Sequence, residues 1–173
     1  PIQAVGGPVK PAPRYFVSIF LALAVAALSV PVLADTHCRR PGTPLEAKAL
    51  AEKAAAHLAD VGLGKAFTDF MSPGAGFMPY DLYVFVFDGG GRMWVNGRFP
   101  GLIGSNATTA RDSNGRNFLL EAMRRAERDG SAWVEYQWYN PCTGRPMAKS
   151  SHVIRAGRFF IGVGAYGRLS VKK

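Results

Sequence analysis

The chain has few of the residues that build metal centres and catalytic sites. Its 173 residues include two cysteines and three histidines, and their spacing matches no zinc-binding pattern. There is no Cys-x-x-Cys-His motif, which excludes covalent haem. No serine lies in a Gly-x-Ser-x-Gly elbow, and no pair of carboxylates forms a catalytic motif. We therefore predict a protein that is not an enzyme and holds neither cofactor nor metal.

Acidic residues are also scarce relative to basic ones. The sequence has 12 Asp and Glu against 21 Lys and Arg, giving a formal net charge of +9. A basic surface attracts anionic partners. Nucleic acid is nevertheless a poor candidate, because the N-terminus predicts export from the cytoplasm. Arg124, Arg125 and Arg128 are expected to form the solvated face of a helix.

A long uncharged segment near the N-terminus carries this prediction of export. Lys10 and Arg14 precede the uncharged run from Tyr15 to Ala34, and the residues up to Ala34 provide cleavage positions for a signal peptidase. We predict a secretory signal peptide over residues 1–34 and one periplasmic or secreted domain over residues 35–173. An uncleaved membrane anchor is the alternative, since about 20 apolar residues span a bilayer.

The two cysteines, Cys38 and Cys142, leave two interpretations for the exported domain. An even number of cysteines in an oxidising compartment predicts a disulfide. It would join the chain ahead of the first helix to the turn of a hairpin. The alternative is a metal site made of His37, Cys38, Cys142 and His152, and the absence of zinc-type spacing favours the disulfide.

Helical and strand patterns alternate along the rest of the chain. Thr43-Pro44-Leu45-Glu46 combines a capping residue, a proline at the first helical position and a capping box. The predicted elements are a helix from Pro44 to Gly62, a short helix from Gly64 to Phe70, strands at Tyr83–Phe87 and Arg92–Val95, a helix at Asn117–Asp129, a hairpin within Trp133–Val153 and a strand at Phe159–Tyr166. This order predicts an α+β fold with a mostly antiparallel sheet.

Several segments, taken in this order, resemble a single Cache domain of the second type. They are Tyr83–Asp88, Pro100–Asn106, Asp112–Gly115, Trp133–Trp138, Asn140–Gly144, Lys149 and Gly164–Tyr166. The resemblance implies a long N-terminal helix beside a curved PAS-like sheet. It also implies a pocket for small metabolites, often short carboxylates, between the sheet and its covering loops and helix. Asn96 departs from the family, which usually has His ahead of the Pro-x-Leu-x-Gly-x-Asn stretch, so the ligand specificity is expected to differ.

The candidate ligand-binding residues are a few polar groups set among apolar ones. Lys149 and Arg98 are the cationic candidates, and Arg can bind a carboxylate through two parallel hydrogen bonds. Tyr136 and Trp138 share one face of a strand by alternation. The remaining candidates are His152 as a donor on the neighbouring strand, and Tyr83, Phe85 and Trp94 as walls. The aromatic candidates are equally compatible with ordinary core packing.

Two functions are consistent with the sequence. The first is an exported sensor that binds a short organic anion and reports to a sensor kinase or chemoreceptor in the membrane. We expect it to be freestanding, since only residues 167–173 follow Tyr166. The second is an interaction module that uses the same scaffold without a ligand. It would modulate a membrane partner or form a homodimer through the first helix.

Overall fold

A computed structural model describes residues 38–112 and 114–169, and within that part of the chain it contains two α-helices, three short 3-10 helices and one five-stranded sheet. The elements are α1 (Pro44–Met71), β1 (Val84–Asp88), β2 (Met93–Asn96), α2 (Phe118–Asp129), β3 (Ser131–Asn140), β4 (Arg145–Ala156) and β5 (Phe159–Tyr166). The strand order is β2-β1-β5-β4-β3, and every neighbouring pair is antiparallel. The predicted α+β fold is confirmed, whereas the predicted leader over residues 1–34 lies outside the described residues.

Helix α1 begins at the predicted capping box and bends at the predicted glycine. The Thr43 hydroxyl accepts a hydrogen bond from the Glu46 amide at 3.2 Å, and the Glu46 carboxylate accepts one from the Thr43 amide at 2.9 Å. Gly62 has φ 75° and ψ 173°, a conformation that favours glycine over residues with a Cβ. The helix continues beyond this kink to Met71, and His57 and Asp69 bridge the kink at 2.7 Å.

The sheet buries a different set of side chains on each face, because successive residues of a strand point to opposite sides. We call the side packed on α1 the α1 face and the side packed on α2 the α2 face. The α1 face contributes Val84, Val86, Val95, Ile161, Val163 and Ala165, which pack on Ala47, Leu50, Ala51, Ala54 and Leu58. The α2 face contributes Phe85, Phe87, Met93, Val134, Tyr136, Val153 and Phe160, which pack on Phe118, Leu119, Ala122 and Met123.

Strand β5 lies in the middle of the sheet and is buried along its whole length. Two of its residues on the α2 face, Gly162 and Gly164, make room for larger neighbours. A Cβ at Gly162 would overlap the ring of Phe85, and a Cβ at Gly164 would overlap the side chains of Ser151 and Lys149. The glycines therefore provide the space that these side chains occupy.

A disulfide joins Cys38 to Cys142, with 5.5 Å between the Cα atoms and a sequence separation of 104. The disulfide prediction is confirmed, and the metal site proposed as its alternative is wrong because both sulfurs are in this bond. The bond ties the segment ahead of α1 to the turn between β3 and β4. Nearby, the Gly42 amide donates to the buried carboxylate of Asp81 at 2.6 Å.

Within the described residues, neither helix combines the length and the apolar character that crossing a membrane requires.

Candidate ligand-binding site

Lys149 is a fully buried cation on the α2 face. Its residue is 1% exposed, and its ammonium nitrogen donates to the Tyr83 hydroxyl at 2.7 Å. The same nitrogen lies 3.9 Å from the centroid of the Tyr83 ring and 4.7 Å from that of Tyr166. No ion pair involves Lys149 among the described residues. Burial consequently lowers the pKa of Lys149 well below its ordinary value, and the charge of Asp81 opposes this shift only partly.

Strand pairing brings Lys149 beside two tyrosines. Its cross-strand partners are Tyr136 on β3 and Tyr166 on β5, so all three side chains project from the α2 face. The Tyr136 hydroxyl shares a 2.9 Å hydrogen bond with the Ser151 hydroxyl, and the Tyr166 hydroxyl donates to the carbonyl of Tyr139 at 2.6 Å. Burial raises the pKa of both phenols, so they are protonated donors at neutral pH.

Aromatic rings form the wall around this polar group. Phe118, at the start of α2, stacks on Tyr136 with 4.0 Å between centroids, and Trp138 meets the edge of Tyr136 at 5.9 Å. Phe99 contacts Tyr83 at 5.7 Å and Trp138 at 6.5 Å, also edge-on. Four of the sequence candidates, Tyr83, Tyr136, Trp138 and Lys149, are therefore gathered in one place with Phe85 beside them.

The loop after β2 is fixed by Asn96, the residue that departs from the family pattern. Asn96 is buried, and its side-chain oxygen accepts hydrogen bonds from the amides of Arg98 at 3.2 Å and Phe99 at 2.8 Å. These bonds hold Phe99 over the aromatic wall. Arg98 is half-buried, and its positive charge acts to lower the pKa of Tyr166 against the larger effect of burial.

Two cavities border these residues. One of about 20 Å³ is lined by the aromatic wall and by Asn96, and it has room for a single water-sized group. The other, of about 240 Å³, is more open and borders Tyr136 and Lys149. Its remaining walls include two cations, Arg116 and Arg168, and two carboxylates, Asp112 and Glu135.

Both carboxylates of the larger cavity already accept hydrogen bonds from the protein. The Asp112 carboxylate accepts from the amides of Asn114 at 2.9 Å and Arg116 at 3.0 Å. The Glu135 carboxylate accepts from the amide of Leu169 at 2.7 Å and from the Ser150 hydroxyl at 3.2 Å. These donors partly satisfy the negative groups, whereas the ammonium of Lys149 contacts, within the described part of the chain, only the Tyr83 hydroxyl and the rings of Tyr83 and Tyr166.

Trp94 and His152 are placed away from this group. The Trp94 indole donates to Asp88 at 2.9 Å, and its ring contacts Phe67 and Phe159 at the far end of the sheet. His152 pairs with Val163 on the α1 face. Its ring lies 4.9 Å from that of Trp133, and its Nδ1 is buried without a hydrogen-bond partner among the described residues.

The sequence candidates omit Tyr166, Phe99, Phe118 and Asn96, all of which contact or enclose the group. For two of them the sequence contained a pattern that could have identified them. Tyr166 alternates with Gly164 and Gly162 on β5, and Phe118 belongs to the predicted apolar face of α2. Phe99 had none, because it lies in an irregular loop. Among the described residues, no three His, Cys, Asp or Glu side chains gather to hold a metal ion.

The family of the chain follows from a comparison with known protein families. The model of the family described as single Cache domain 2 matches residues 43–167. The chain belongs to this family. The resemblance inferred from the sequence is confirmed, and the gathered residues lie between the sheet and the covering elements of a Cache domain. No curated protein matches the chain.

The solved structures that this chain resembles include sensor domains of chemotaxis proteins. The crystal structure of a methyl-accepting chemotaxis protein from Vibrio parahaemolyticus has 20% identity and a TM-score of 0.61, covering 70% of this chain and 86% of its own. A periplasmic sensor domain of a chemotaxis protein has 26% identity and a TM-score of 0.56, with coverages of 72% and 90%. A Cache chemosensory domain studied for carboxylic acid recognition has 19% identity and a TM-score of 0.55, with coverages of 72% and 88%. The Cache domain of this chain thus has the architecture of sensor domains, and its family indicates extracytoplasmic sensing of small molecules.

Proposed function

We propose that this Cache domain senses a short organic carboxylate, which binds on the α2 face with Lys149 as its counter-ion. The observation that carries the proposal is a buried ammonium group that no carboxylate of the described residues contacts. Burying an unpaired charge is costly unless a partner compensates for it. A bound carboxylate would supply that partner, and the structurally similar Cache domain studied for carboxylic acid recognition supports the same ligand class.

The surroundings of Lys149 favour a small ligand. Tyr136 and Tyr166 remain protonated at neutral pH, so their hydroxyls suit donation to carboxylate oxygens once a ligand reorients them. The cavity of about 240 Å³ beside Lys149 is smaller than drug-sized pockets, which start at about 300 Å³. Arg168 in its walls attracts anions toward the entrance, whereas Arg116 is already paired with Glu121 at 2.7 Å.

A ligand-free interaction module is the second candidate function. It is favoured by one observation: the aromatic cavity has a volume of only about 20 Å³, because the protein's own side chains fill it. Under this alternative the domain would modulate a membrane partner or form a homodimer through α1. Sedimentation analysis of the full chain over a range of concentrations tests the homodimer.

Export and signalling complete the proposal. Residues 1–34 would direct the chain to the periplasm or the medium, where the disulfide between Cys38 and Cys142 is stable. A membrane-bound sensor kinase or chemoreceptor would then receive the signal. Mass spectrometry of the protein recovered from the periplasm tests the cleavage, since removal of the leader leaves residue 35 as the new N-terminus.

A thermal-shift screen tests the ligand. The protein is heated with each of the straight-chain carboxylates from acetate to valerate, at concentrations up to the millimolar range. Binding to the native state raises the melting temperature, by an amount that grows with ligand concentration. We expect at least one acid to raise it in the wild type and none to raise it in Lys149→Met. Lys65→Met is the matched control, since Lys65 is exposed on α1, and it should retain the full shift.

Two outcomes would contradict the proposal. If no carboxylate shifts the wild type, carboxylate sensing loses its support and the interaction module becomes the better explanation. If Lys149→Met is folded, as judged by circular dichroism, and keeps the shift, the carboxylate binds elsewhere. Tyr83→Phe provides a milder variant, because it removes only the hydroxyl that accepts from Lys149.

A further inference from the structure

A second groove lies at the end of the sheet opposite to Lys149. It forms where the turn between β1 and β2, the turn between β4 and β5 and the second half of α2 come together. Two cavities of about 390 Å³ and about 300 Å³ adjoin there and share Gly89, Glu127 and Phe160 as walls. We call this surface the arginine groove and define it by Trp94, Met123, Arg124, Arg155, Arg158 and Phe160.

The floor of the arginine groove is apolar. Phe160 and Met123 form it and belong to the core of the α2 face, with exposures of 4% and 5%. Trp94 lies at the side and is 37% exposed, one of the few large apolar side chains that the described surface presents to solvent. A concave apolar floor with an accessible indole is suited to a side chain from another protein.

The cations around this floor are all arginines. Arg124, Arg155 and Arg158 line the two cavities. The guanidinium of Arg158 lies 4.9 Å from the ring of Phe159, and that of neighbouring Arg92 lies 5.1 Å from the ring of Trp94. The described lysines are elsewhere: three are on α1 and the fourth is Lys149. Protein interfaces are enriched in Arg, Trp, Phe and Met and depleted in Lys, which is the composition found here.

Positive charges outnumber negative ones in the arginine groove. Glu127 pairs with Arg155 at 3.1 Å, and Asp88 accepts from the Trp94 indole and from the amides of Gly90 and Arg92. Arg124 and Arg158 form no ion pair among the described residues. Both guanidinium groups are exposed, so they attract carboxylates from outside the domain.

We propose that the arginine groove binds an acidic segment of a partner protein, with an apolar side chain of that segment on Phe160 and Met123 and its carboxylates on Arg124 and Arg158. A second copy of this chain is a poor occupant, since its net charge of +9 repels another copy. A small anion alone would leave the apolar floor uncovered. This binding site is independent of the carboxylate at Lys149.

Helix α2 connects the groove to the ligand-binding group. Its first residue, Phe118, stacks on Tyr136, whereas Met123, Arg124 and Glu127 line the groove farther along the same helix. The helix is 12 residues long, so the groove and the aromatic wall lie along one short element.

Labelled peptides test the proposal with the full chain. The probe is a fluorescein-labelled twelve-residue peptide of alternating Glu and Leu, and its binding is measured by fluorescence polarisation at physiological salt. The comparison peptides alternate Lys with Leu and Glu with Ser. We expect the Glu–Leu peptide to bind at least ten times more tightly than either, because only it supplies both carboxylates and apolar side chains.

Paired variants locate the binding. The double variant Arg124→Glu with Arg158→Glu should weaken binding of the Glu–Leu peptide at least tenfold. The control, Arg111→Glu with Arg145→Glu, changes the net charge by the same amount at exposed residues outside the groove and should weaken it less than threefold. Circular dichroism confirms that both variants are folded.

Three outcomes would overturn the proposal. Equal weakening by the two double variants would show attraction by net charge alone. Failure of the Glu–Leu peptide to bind, or equal binding of the Lys–Leu peptide, would remove the acidic segment as the occupant. A concentration-dependent dimer that only the groove variant abolishes, measured by sedimentation, would assign the surface to a second copy. The carboxylate screen is unaffected by any of these results, so the two proposals fail separately.

Discussion

The two faces of the sheet differ in the side chains that they bury. The α1 face packs valines, isoleucine and alanine against an alanine-rich helix, and small side chains let α1 lie close to the sheet. The α2 face carries phenols, an indole, one serine and one lysine, together with two glycines that make space for larger side chains. Apolar packing can be satisfied by many sequences, whereas a buried lysine requires a specific partner. The difference teaches that the α1 face is built for apolar packing, whereas the α2 face keeps a buried cation at a cost in stability, as the proposed carboxylate site would require.

Filling the space at Gly162 is the largest expected disruption of the α2 face. Gly162→Ala would place a methyl group into the ring of Phe85, and we expect it to lower the free energy of unfolding by about 3 kcal/mol, at the upper end for overpacking. Gly64→Ala is the control, because Gly64 is helical and a Cβ there meets nothing within 4 Å. That variant should be neutral or stabilising by up to about 1 kcal/mol. Urea denaturation measures both, and similar losses in the two variants would contradict this view of the α2 face.

Removing the buried charge should instead stabilise the protein. Lys149→Met keeps the length of the side chain and removes an uncompensated ammonium, so we expect the unliganded protein to gain about 1–2 kcal/mol at neutral pH. Lys48→Met on the exposed side of α1 should change stability by less than about 0.5 kcal/mol. A loss of stability in Lys149→Met, measured by urea denaturation, would mean that Lys149 is already compensated in the unliganded protein.

The pH dependence of this gain provides a further test. Since the pKa of Lys149 is lower in the folded than in the unfolded protein, the unfolded state binds more protons between the two values, and wild-type stability rises with pH through that range. The stability advantage of Lys149→Met over the wild type is therefore greatest below the pKa that Lys149 has in the folded protein. It should disappear as the pH approaches the ordinary lysine value of 10.5. An advantage that stays constant from pH 7 to pH 10 would contradict the lowered pKa.

The smallest expected effect belongs to the α1 face and lies in the acid range. Burial lowers the pKa of His152 below its ordinary value of 6.5, and Lys48 lowers it further while Glu52 opposes the change. The unfolded state therefore takes up the proton first, so stability falls as the pH drops below about 6.5. His152→Gln should flatten this fall, and His57→Gln should leave the contribution of His152 in place. Thermal melts at half-unit steps from pH 7.5 to 5 distinguish the two variants.

The order of the elements and most of the gathered residues were predictable from the sequence, because capping signals and alternation are local. The placement of His152 away from the gathered residues could also have been predicted, although it is one of the sequence candidates. It is three positions from Lys149, an odd separation that places the two on opposite faces of β4. Trp94 was not predictable, because the pairing of β1 with β2 shifts register between Val86 and Phe87 and moves the indole toward α1. Phe99 was not predictable either, because its position depends on the geometry of an irregular loop, which arises only once distant segments pair.

The central position of β5 has a consequence for how the protein is made. This strand is the last one in the described chain, yet both β1 and β4 pair with it. Until it emerges, β1–β2 and β3–β4 are two separate hairpins, and isolated hairpins are marginal in water. Pairing between distant segments is also slow, because the intervening chain must first be brought together. A nascent chain of this protein therefore cannot complete its sheet until β5 has been made, and a chain that is still incompletely folded suits the export that we propose for it.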